Sequence, residues 1–257
     1  MKIVAINGSP KGKNGSTNVI VSAFLKGAQE AGAEIINIFL AEKDIKHCKG
    51  CLSCFINSPG CVIKDDMAEI LSLEEGADIL LLATPLHFDN ISSMLKVYMD
   101  RRMVLVAPHV KKDSNGESRH VKKDRVDSPF SSGVTPPRLM MIASCGYPER
   151  SHFQVISHWV KRLSLNMLTE VIEEIYATQG LFLSAPVELL QPYIANCPQL
   201  LDNVAKYLQL LEKAGKEIVT SNRLSEVTHK KLIEQKFVPD EINIQVGNFL
   251  ADSLPQK

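Results

Sequence analysis

The sequence lacks an excess of charge of either sign and any long hydrophobic run. Lys+Arg and Asp+Glu number 29 each in 257 residues, so the formal net charge is zero. A neutral chain has no electrostatic footprint for nucleic acid or for an acidic membrane surface. No apolar stretch approaches the roughly 20 residues that are needed to cross a bilayer. These absences disfavour a nucleic-acid-binding protein and a membrane protein.

The N-terminus also lacks the anatomy of a signal peptide, because its apolar run is short and Gly and Pro follow at once. We therefore expect a cytoplasmic protein. Hydrophobic residues make up 45% and charged residues 23%, which is ordinary for a globular chain with a sizeable core. In a reducing compartment, closely spaced cysteines are more often metal ligands or redox groups than structural disulfides.

Strand and helix patterns alternate along most of the chain. Apolar, β-branched runs occur at residues 2–6, 33–40, 78–84 and 137–144, and a fifth lies within 168–177. Helical patterns separate them, at residues 18–32, 64–77, 92–106 and 151–167. Five strands that alternate with helices predict an α/β fold with a doubly wound parallel sheet.

Two segments depart from this alternation. Residues 108–136 are polar and rich in Lys, Asp, Ser, Gly and Pro, which fits either a surface insertion or a lid over a functional site. From residue 187 the pattern is helical, with an apolar stripe that includes Leu211 and Ile218. We therefore expect a domain at 1–186 and a helical C-terminal extension at 187–257.

Three loops should share one edge of the sheet. In an open α/β sheet, ligands bind beyond the carboxyl ends of the strands, so the loops after strands one, three and four are considered together. The first, "NGSPKGKNGSTN", has small residues, hydroxyls and a following helix N-terminus, as a phosphate-binding loop requires. It matches neither the nucleoside-triphosphate loop nor the usual dinucleotide fingerprint. The alternative is a turn with an N-cap Ser.

The other two loops offer walls for a flat ring. "TPLHFDNIS", residues 84–92, supplies backbone donors and Phe88, and "SCGYPER", residues 144–150, supplies Gly146 and Tyr147. Either loop could instead be an ordinary connection. His87 alone is more often a solvated loop residue than a catalytic one, and Cys145 has no paired base that would make it a nucleophile.

Together, "GSPKGKNGSTN", "TPLHFDNISSMLKVYMDR" and "SCGYPE" resemble the three flavin-binding loops of the flavodoxin-like NAD(P)H-dependent FMN reductases. The segment "CKGCLSC", followed by "CVIKDDM", resembles the iron–sulfur flavoprotein branch of that group. The resemblance covers residues 1 to about 180. It implies strand order 2-1-3-4-5, bound FMN, and a homo-oligomer (a dimer or tetramer) in which a neighbouring chain completes the flavin pocket.

The resemblance also implies which residues contact the cofactor. Asp100 and Arg101 match a pair that closes the helix after the second loop, and a surface ion pair is the alternative for them. The residues that match the three loops are Ser9, Lys11, Asn14, Ser16, Thr17 and Asn18; Pro85, Leu86, His87, Phe88, Asp89 and Asn90; and Ser144, Cys145, Gly146 and Tyr147.

Four of the six cysteines have the spacing Cys48-x2-Cys51-x2-Cys54-x6-Cys61. This resembles a ferredoxin-type run, and we expect these four as ligands of a [4Fe–4S] cluster. The alternatives are reduced cysteines without a metal, a zinc site and a disulfide. Zinc sites usually use two separated pairs of ligands. His47 adjoins the first cysteine and is expected to be a neighbour rather than a ligand.

The expected function is that of an FMN-dependent NAD(P)H oxidoreductase, similar to FMN or quinone reductases, in which the flavin carries the chemistry. No acid–base dyad stands out. One alternative is an iron–sulfur flavoprotein that carries electrons between protein partners, for example to or from a ferredoxin-like protein. The other is a non-catalytic flavin-binding module. The partners are otherwise a small-molecule electron donor and acceptor.

Overall fold

The centre of the protein is a five-stranded parallel sheet. The computed structural model describes residues 1–56, 60–122, 136–186, 188, 190–191 and 197–252. The strand order in the sheet is β2-β1-β3-β6-β7, and every neighbouring pair is parallel. Because β4 and β5 form a separate hairpin, this is the predicted order 2-1-3-4-5, which is confirmed. The strands are β1 (Lys2–Asn7), β2 (Glu34–Phe39), β3 (Ile79–Pro85), β4 (Val106–Lys112), β5 (Ser118–Lys122), β6 (Arg138–Ser144) and β7 (Val171–Ala177).

Helices cover both faces of the sheet. Alternate strand residues point to opposite faces, so Ile3 and Leu81 enter one core cluster while Val4 and Leu80 enter the other. The central strands are buried on both faces, as the near-continuous apolar runs predict. The helices are α1 (Ser16–Glu30), α2 (Ser53–Ile56), α3 (Met67–Leu73), α4 (Ser93–Arg101), α5 (Gln154–Met167), α6 (Leu181–Ser184), α7 (Leu200–Ser221), α8 (Glu226–Ile233) and α9 (Asp240–Asp252).

The helix predicted at residues 92–106 is shorter in the structure. Its N-cap is Ser92, whose Oγ accepts from the Leu95 amide at 3.2 Å, and regular helix ends at Arg101. A 3-10 turn follows at Arg102–Leu105, and β4 begins at Val106. The sequence pattern predicted too long a helix because its last apolar residues, 103–106, suit a strand equally well.

A buried polar group joins α3 to the end of α4. Glu74, which caps α3, accepts from the Tyr98 hydroxyl at 2.5 Å and pairs with Arg102. All three side chains are buried. The partners satisfy one another, which is the condition under which buried charges are tolerated.

The first part of the 108–136 insertion is an ordered hairpin. Strands β4 and β5 pair antiparallel, and the turn places Asp113 Oδ1 2.9 Å from the amides of Asn115 and Glu117. Arg162 on α5 binds Glu117 at 3.0 Å, which ties the hairpin to the body of the protein. Residues 123–135 lie outside the described residues, so the choice between a lid and a surface insertion stays a prediction.

The C-terminal helices share the core of the sheet. Buried side chains of α7, α8 and α9 belong to the same cluster as α1 and one face of the sheet. At the α1–α7 crossing, a Cβ on Gly27 would lie 1.8 Å from the carbonyl oxygen of Glu212, and one on Gly215 would lie 2.0 Å from that of Phe24. Gly27, which the sequence shows only as a helix-weakening residue, is therefore required by close packing. The division at residue 186 stays a prediction.

In the described part of the chain, none of the helices combines the length and the apolar content that a membrane span requires.

Candidate functional site

The three loops meet at the carboxyl edge of the sheet, as the strand order requires. The Gly8 amide donates to the carbonyl of Ala83 at 2.8 Å, and the Ser92 hydroxyl donates to the carbonyl of Gly8 at 2.6 Å. These two bonds join the first loop to the second. A Cβ on Gly8 would lie 2.8 Å from the Leu95 Cβ, so only glycine fits this close approach.

Ser144 joins the third loop to the other two. Its carbonyl accepts from the Leu86 amide at 2.8 Å, and its hydroxyl lies 2.9 Å from Thr17 Oγ1 and 3.4 Å from Ser16 Oγ. Ser144 and Thr17 are both buried. Segments far apart in sequence therefore form one continuous surface at this edge.

The first loop has the form of an anion cradle. Gly12 adopts a left-handed φ of 51°, and Gly15, whose Cβ would lie 2.6 Å from Ser9 Oγ, is the N-cap of α1. No side chain of the described residues caps this helix. The expected N-cap Ser of the alternative reading is not found, because Gly15 holds that position. Uncapped amides at the start of a long helix attract an anion.

The predicted phosphate-loop residues divide into two groups. Ser9, Ser16 and Thr17 lie at the start of α1 or against it, whereas Lys11 and Asn14 are exposed at the outer side of the loop.

Both polar atoms of the Asn18 side chain have partners within the protein. Its Oδ1 accepts from Asn37 Nδ2 at 3.2 Å, and its side-chain Nδ2 donates to the carbonyl of Lys13 at 3.0 Å. The structure therefore assigns Asn18 to the contact between β2 and the first loop, which the sequence did not indicate.

The second loop ends in a tight reversal. The amides and carbonyls of His87 and Asn90 bond to each other at 2.9 and 3.0 Å, and Phe88 and Asp89 between them have φ angles of 49° and 55°. Two left-handed residues in succession make a type I′ turn. Phe88 is fully exposed at its tip, while Pro85 and Leu86 are half-buried beneath it. A left-handed φ costs free energy in a residue other than glycine, and residues strained in this way are found mostly at functional sites.

A histidine that sequence reasoning missed links the second loop to the third. His152 Nδ1 lies 3.0 Å from Asp89 Oδ1, and its ring stacks on that of Tyr147 with centroids 4.4 Å apart. Tyr147 is half exposed. The two stacked rings lie beside the carboxyl edge of the sheet. No periodic pattern in the sequence could have indicated this contact.

Cys145 lies beneath the third loop. Its side chain is buried, and burial, the largest effect, raises the pKa of the thiol to about 11. A thiol with this pKa stays protonated at neutral pH and is a poor nucleophile. This agrees with the expectation of a small apolar residue at a strand end.

The cysteine segment follows β2 and runs outward. Cys48 and Cys51 are exposed, and Cys54 and Cys61 are half-buried. Four thiols in one short segment have the donor chemistry of an iron–sulfur site. Among the described residues, however, no three His, Cys, Asp or Glu side chains lie together as a metal site requires. The segment therefore contains four candidate cluster ligands, but the described residues do not show them grouped around one point.

Arg101 anchors this segment rather than the flavin loops. It is buried, binds both carboxylate oxygens of Asp65, donates to the carbonyl of Lys46 at 2.8 Å, and places Nη2 3.5 Å from Cys61 Sγ. Burial alone would raise the pKa of Asp65, but hydrogen bonds from Arg101 and from backbone amides outweigh it and lower the pKa below its usual range.

The neighbour of Arg101 on α4 has a different role. Asp100 is exposed and pairs with Lys96 one turn earlier at 2.6 Å. The alternative of a surface ion pair thus fits Asp100, although its partner is not Arg101. For Arg101 that alternative is wrong, because its guanidinium is buried against Asp65.

Known proteins share parts of this arrangement. The family model described as NADPH-dependent FMN reductase matches residues 1–118. The N-terminal part of the chain is therefore similar to this family. The match includes the first two loops and the cysteine segment.

The curated relatives share this N-terminal part. An iron–sulfur flavoprotein of Archaeoglobus fulgidus is 35% identical over 103 residues, which cover 40% of this chain and 46% of the relative. One from Methanocaldococcus jannaschii is 39% identical over 101 residues, covering 39% of this chain and 51% of the relative. The chain thus spans about half the length of the curated relatives it matches.

Solved structures share the fold over a larger part of the chain. An FMN-dependent NADH-azoreductase of Bacillus anthracis, in complex with FMN, has a TM-score of 0.54 at 19% identity and covers 85% of this chain and 99% of its own. An NAD(P)H:quinone oxidoreductase of Methanothermobacter marburgensis has a TM-score of 0.53 at 14% identity, with 85% and 96% covered. At these identities the likeness shows the flavodoxin-like fold.

Proposed function

We propose that this protein binds FMN at the carboxyl edge of its sheet and is an FMN-dependent oxidoreductase that accepts electrons from NAD(P)H. The observation that carries the proposal is the union of the three loops through Ser144, which joins a cradle for an anion to two walls for a flat ring. The match to the FMN reductase family over residues 1–118 supports the same cofactor.

The residues present fit FMN. A Cβ at Gly8 or Gly15 would meet neighbouring atoms, and Gly12 has a left-handed φ that favours glycine. The uncapped start of α1 suits a phosphate. Ser9 and Ser16 would hold the phosphate by their hydroxyls. When bound, FMN supplies hydride and single-electron chemistry at its ring.

The other two loops would hold the ring. The turn at 87–90 and the Tyr147–His152 stack would shield it on two sides and leave one side open to a nicotinamide or an acceptor. Thr17 lies deeper in the site and would not touch the cofactor. Its bond to Ser144 would keep the first and third loops together.

A second candidate function is that of an iron–sulfur flavoprotein that exchanges electrons with a protein partner. The observation that favours it is the cysteine segment, which leaves β2 beside β1 and is held by Arg101. The relatives are named iron–sulfur flavoproteins, which supports a cluster on Cys48, Cys51, Cys54 and Cys61. We further propose a homo-oligomer, since Phe88 stands fully exposed beside the site.

The test is anaerobic purification of the full chain, followed by an absorption spectrum and assays for iron and acid-labile sulfide. Flavin absorbance together with NAD(P)H oxidation would support the reductase. About four irons per chain with little NAD(P)H oxidation would favour the electron carrier. Flavin without turnover by any nicotinamide or ferredoxin would leave a non-catalytic module. A colourless protein that FMN does not reconstitute would refute the proposal.

A further inference from the structure

Three successive backbone carbonyls of the third loop accept hydrogen bonds from residues that follow β7. The carbonyls of residues 145–147 accept, in order, from the Gly180 amide at 2.7 Å, Asn243 Nδ2 at 3.0 Å and the Gln179 amide at 2.9 Å. Asn243 lies on α9, far beyond the part of the chain that matches the FMN reductase family. The C-terminal helices therefore contact the third loop directly.

Gln179 fixes the C-terminal segment to this loop. It is fully buried and adopts a left-handed φ of 55°. Its Oε1 accepts from the amides of Phe237 and Val238 at 2.7 and 3.2 Å, and its Nε2 donates to the carbonyl of Val238 at 2.8 Å. A single side chain thus uses its whole amide group to hold the segment just before α9 beside the third loop.

Asn243 is held by its contact with the same loop. Its side chain is buried, and its Oδ1 has no partner among the described residues. The bond from Nδ2 to the Gly146 carbonyl therefore offsets the desolvation of the amide.

The orientation of these carbonyls decides where the loop's amides point. In a trans peptide the carbonyl and the following N–H point in opposite directions, so the amides of Gly146 and Tyr147 face away from Gly180 and Asn243. Both residues are exposed, and neither amide donates to another group in the described part of the chain. Pro148 has no amide to offer. The loop therefore presents two adjacent free donors.

We propose that Asn243 and Gln179 are positioning residues of the flavin site, which keep the Gly146 and Tyr147 amides available to the electron-rich edge of the ring. This inference rests on the proposed function. Preorganised donors stabilise the negative charge that the ring gains on reduction more than they stabilise the neutral oxidised ring. The C-terminal helices then tune the cofactor, in addition to covering the sheet.

The experiment compares Asn243→Leu and Asn243→Ala with the matched control Asn203→Leu in the full chain. Asn203 also donates its side-chain amide to a backbone carbonyl of the C-terminal segment, that of Phe237 at 2.9 Å. In the described part of the chain, no hydrogen bond joins Asn203 to the third loop. Titration with FMN gives the dissociation constant, and redox titration gives the midpoint potential of the bound flavin.

We expect both Asn243 variants to bind FMN about 3- to 10-fold more weakly, the loss of about one hydrogen bond, and to lower the midpoint potential. We expect Asn203→Leu to lower thermal stability and to leave the potential unchanged. Equal potentials in the wild type and the Asn243 variants, or an equal change in Asn203→Leu, would overturn the inference. A wild-type chain that does not bind FMN would overturn the proposed function instead.

Discussion

Thr17 Oγ1 and Ser144 Oγ lie 2.9 Å apart although 127 residues separate them in the sequence. Thr17 is in the first turn of α1, and Ser144 is the last residue of β6. The bond joins the anion cradle to the loop that follows the fourth strand of the sheet. Both hydroxyls are buried, so neither can exchange this partner for solvent.

Replacement of Thr17 by Val should therefore weaken both the fold and the site. The loss of the hydroxyl leaves Ser144 Oγ with a partner at 3.4 Å, and we expect the free energy of unfolding to fall by about 1–3 kcal/mol. FMN affinity should fall as well. Thr220→Val, which removes an exposed hydroxyl on α7, is the control and should change stability little. Denaturant unfolding and FMN titration are the measurements, and equal behaviour of the two variants would contradict this role for Thr17.

Alanine at Gly27 or at Gly215 should destabilise the protein strongly. A Cβ at either position would overlap a backbone oxygen of the facing helix, which no rotamer change relieves. We expect a loss of about 3 kcal/mol or more, at the upper end of overpacking effects. Gly247 on α9 has nothing within 4 Å of the added Cβ, so Gly247→Ala should be neutral or stabilising by about 0.5–1 kcal/mol. Thermal unfolding of the three variants distinguishes these outcomes.

Replacement of Arg101 by Gln should loosen the cysteine segment. The change leaves the Asp65 carboxylate buried without its counter-charge, and breaking a buried pair costs about 3–5 kcal/mol. Hydrogen exchange around residues 46–65 and the alkylation rate of Cys61 should both increase. Asp100→Asn, one residue earlier on the same helix, removes an exposed carboxylate and should change neither quantity. Unchanged alkylation in Arg101→Gln would show that the segment is held by other contacts.

Stability should fall in alkaline solution partly through Cys145. Burial raises the pKa of this thiol from 9.0 to about 11, so between these values the unfolded chain loses a proton that the folded chain keeps. The free energy of unfolding therefore decreases as the pH rises from 9 to 11. Cys145→Ala should show a shallower decrease over this window. Identical slopes in the wild type and in Cys145→Ala would refute the assignment.

The sheet could be predicted because its strands are short apolar runs with a helix pattern between them. Ile3 and Leu81 lie in strands that are buried on both faces, and such strands have a clear local signature. The edge where the loops meet followed from the strand order alone. The beginning of the hairpin was missed because residues 103–106 fit a helix and a strand equally well.

Other parts of the site depend on contacts that leave no local trace. Asn243 reaches Gly146 across 97 residues, and Gln179 reaches Val238 across 59. The sequence shows each of these as an ordinary amide. Arg101 was recognised as part of a pair with Asp100, but its partner is Asp65, which only the folded chain brings near. Long-range side-chain hydrogen bonds of this kind have no periodicity by which a sequence could indicate them.

The most direct test of the account is the titration of the purified full chain, freed of cofactor, with FMN, followed by flavin fluorescence and absorbance. If the three loops form the site, the chain should bind FMN with a stoichiometry of about one per chain, and Gly8→Val, which blocks the contact between the first two loops, should abolish binding. A wild-type chain that remains folded by circular dichroism and leaves the flavin signal unchanged would contradict the account.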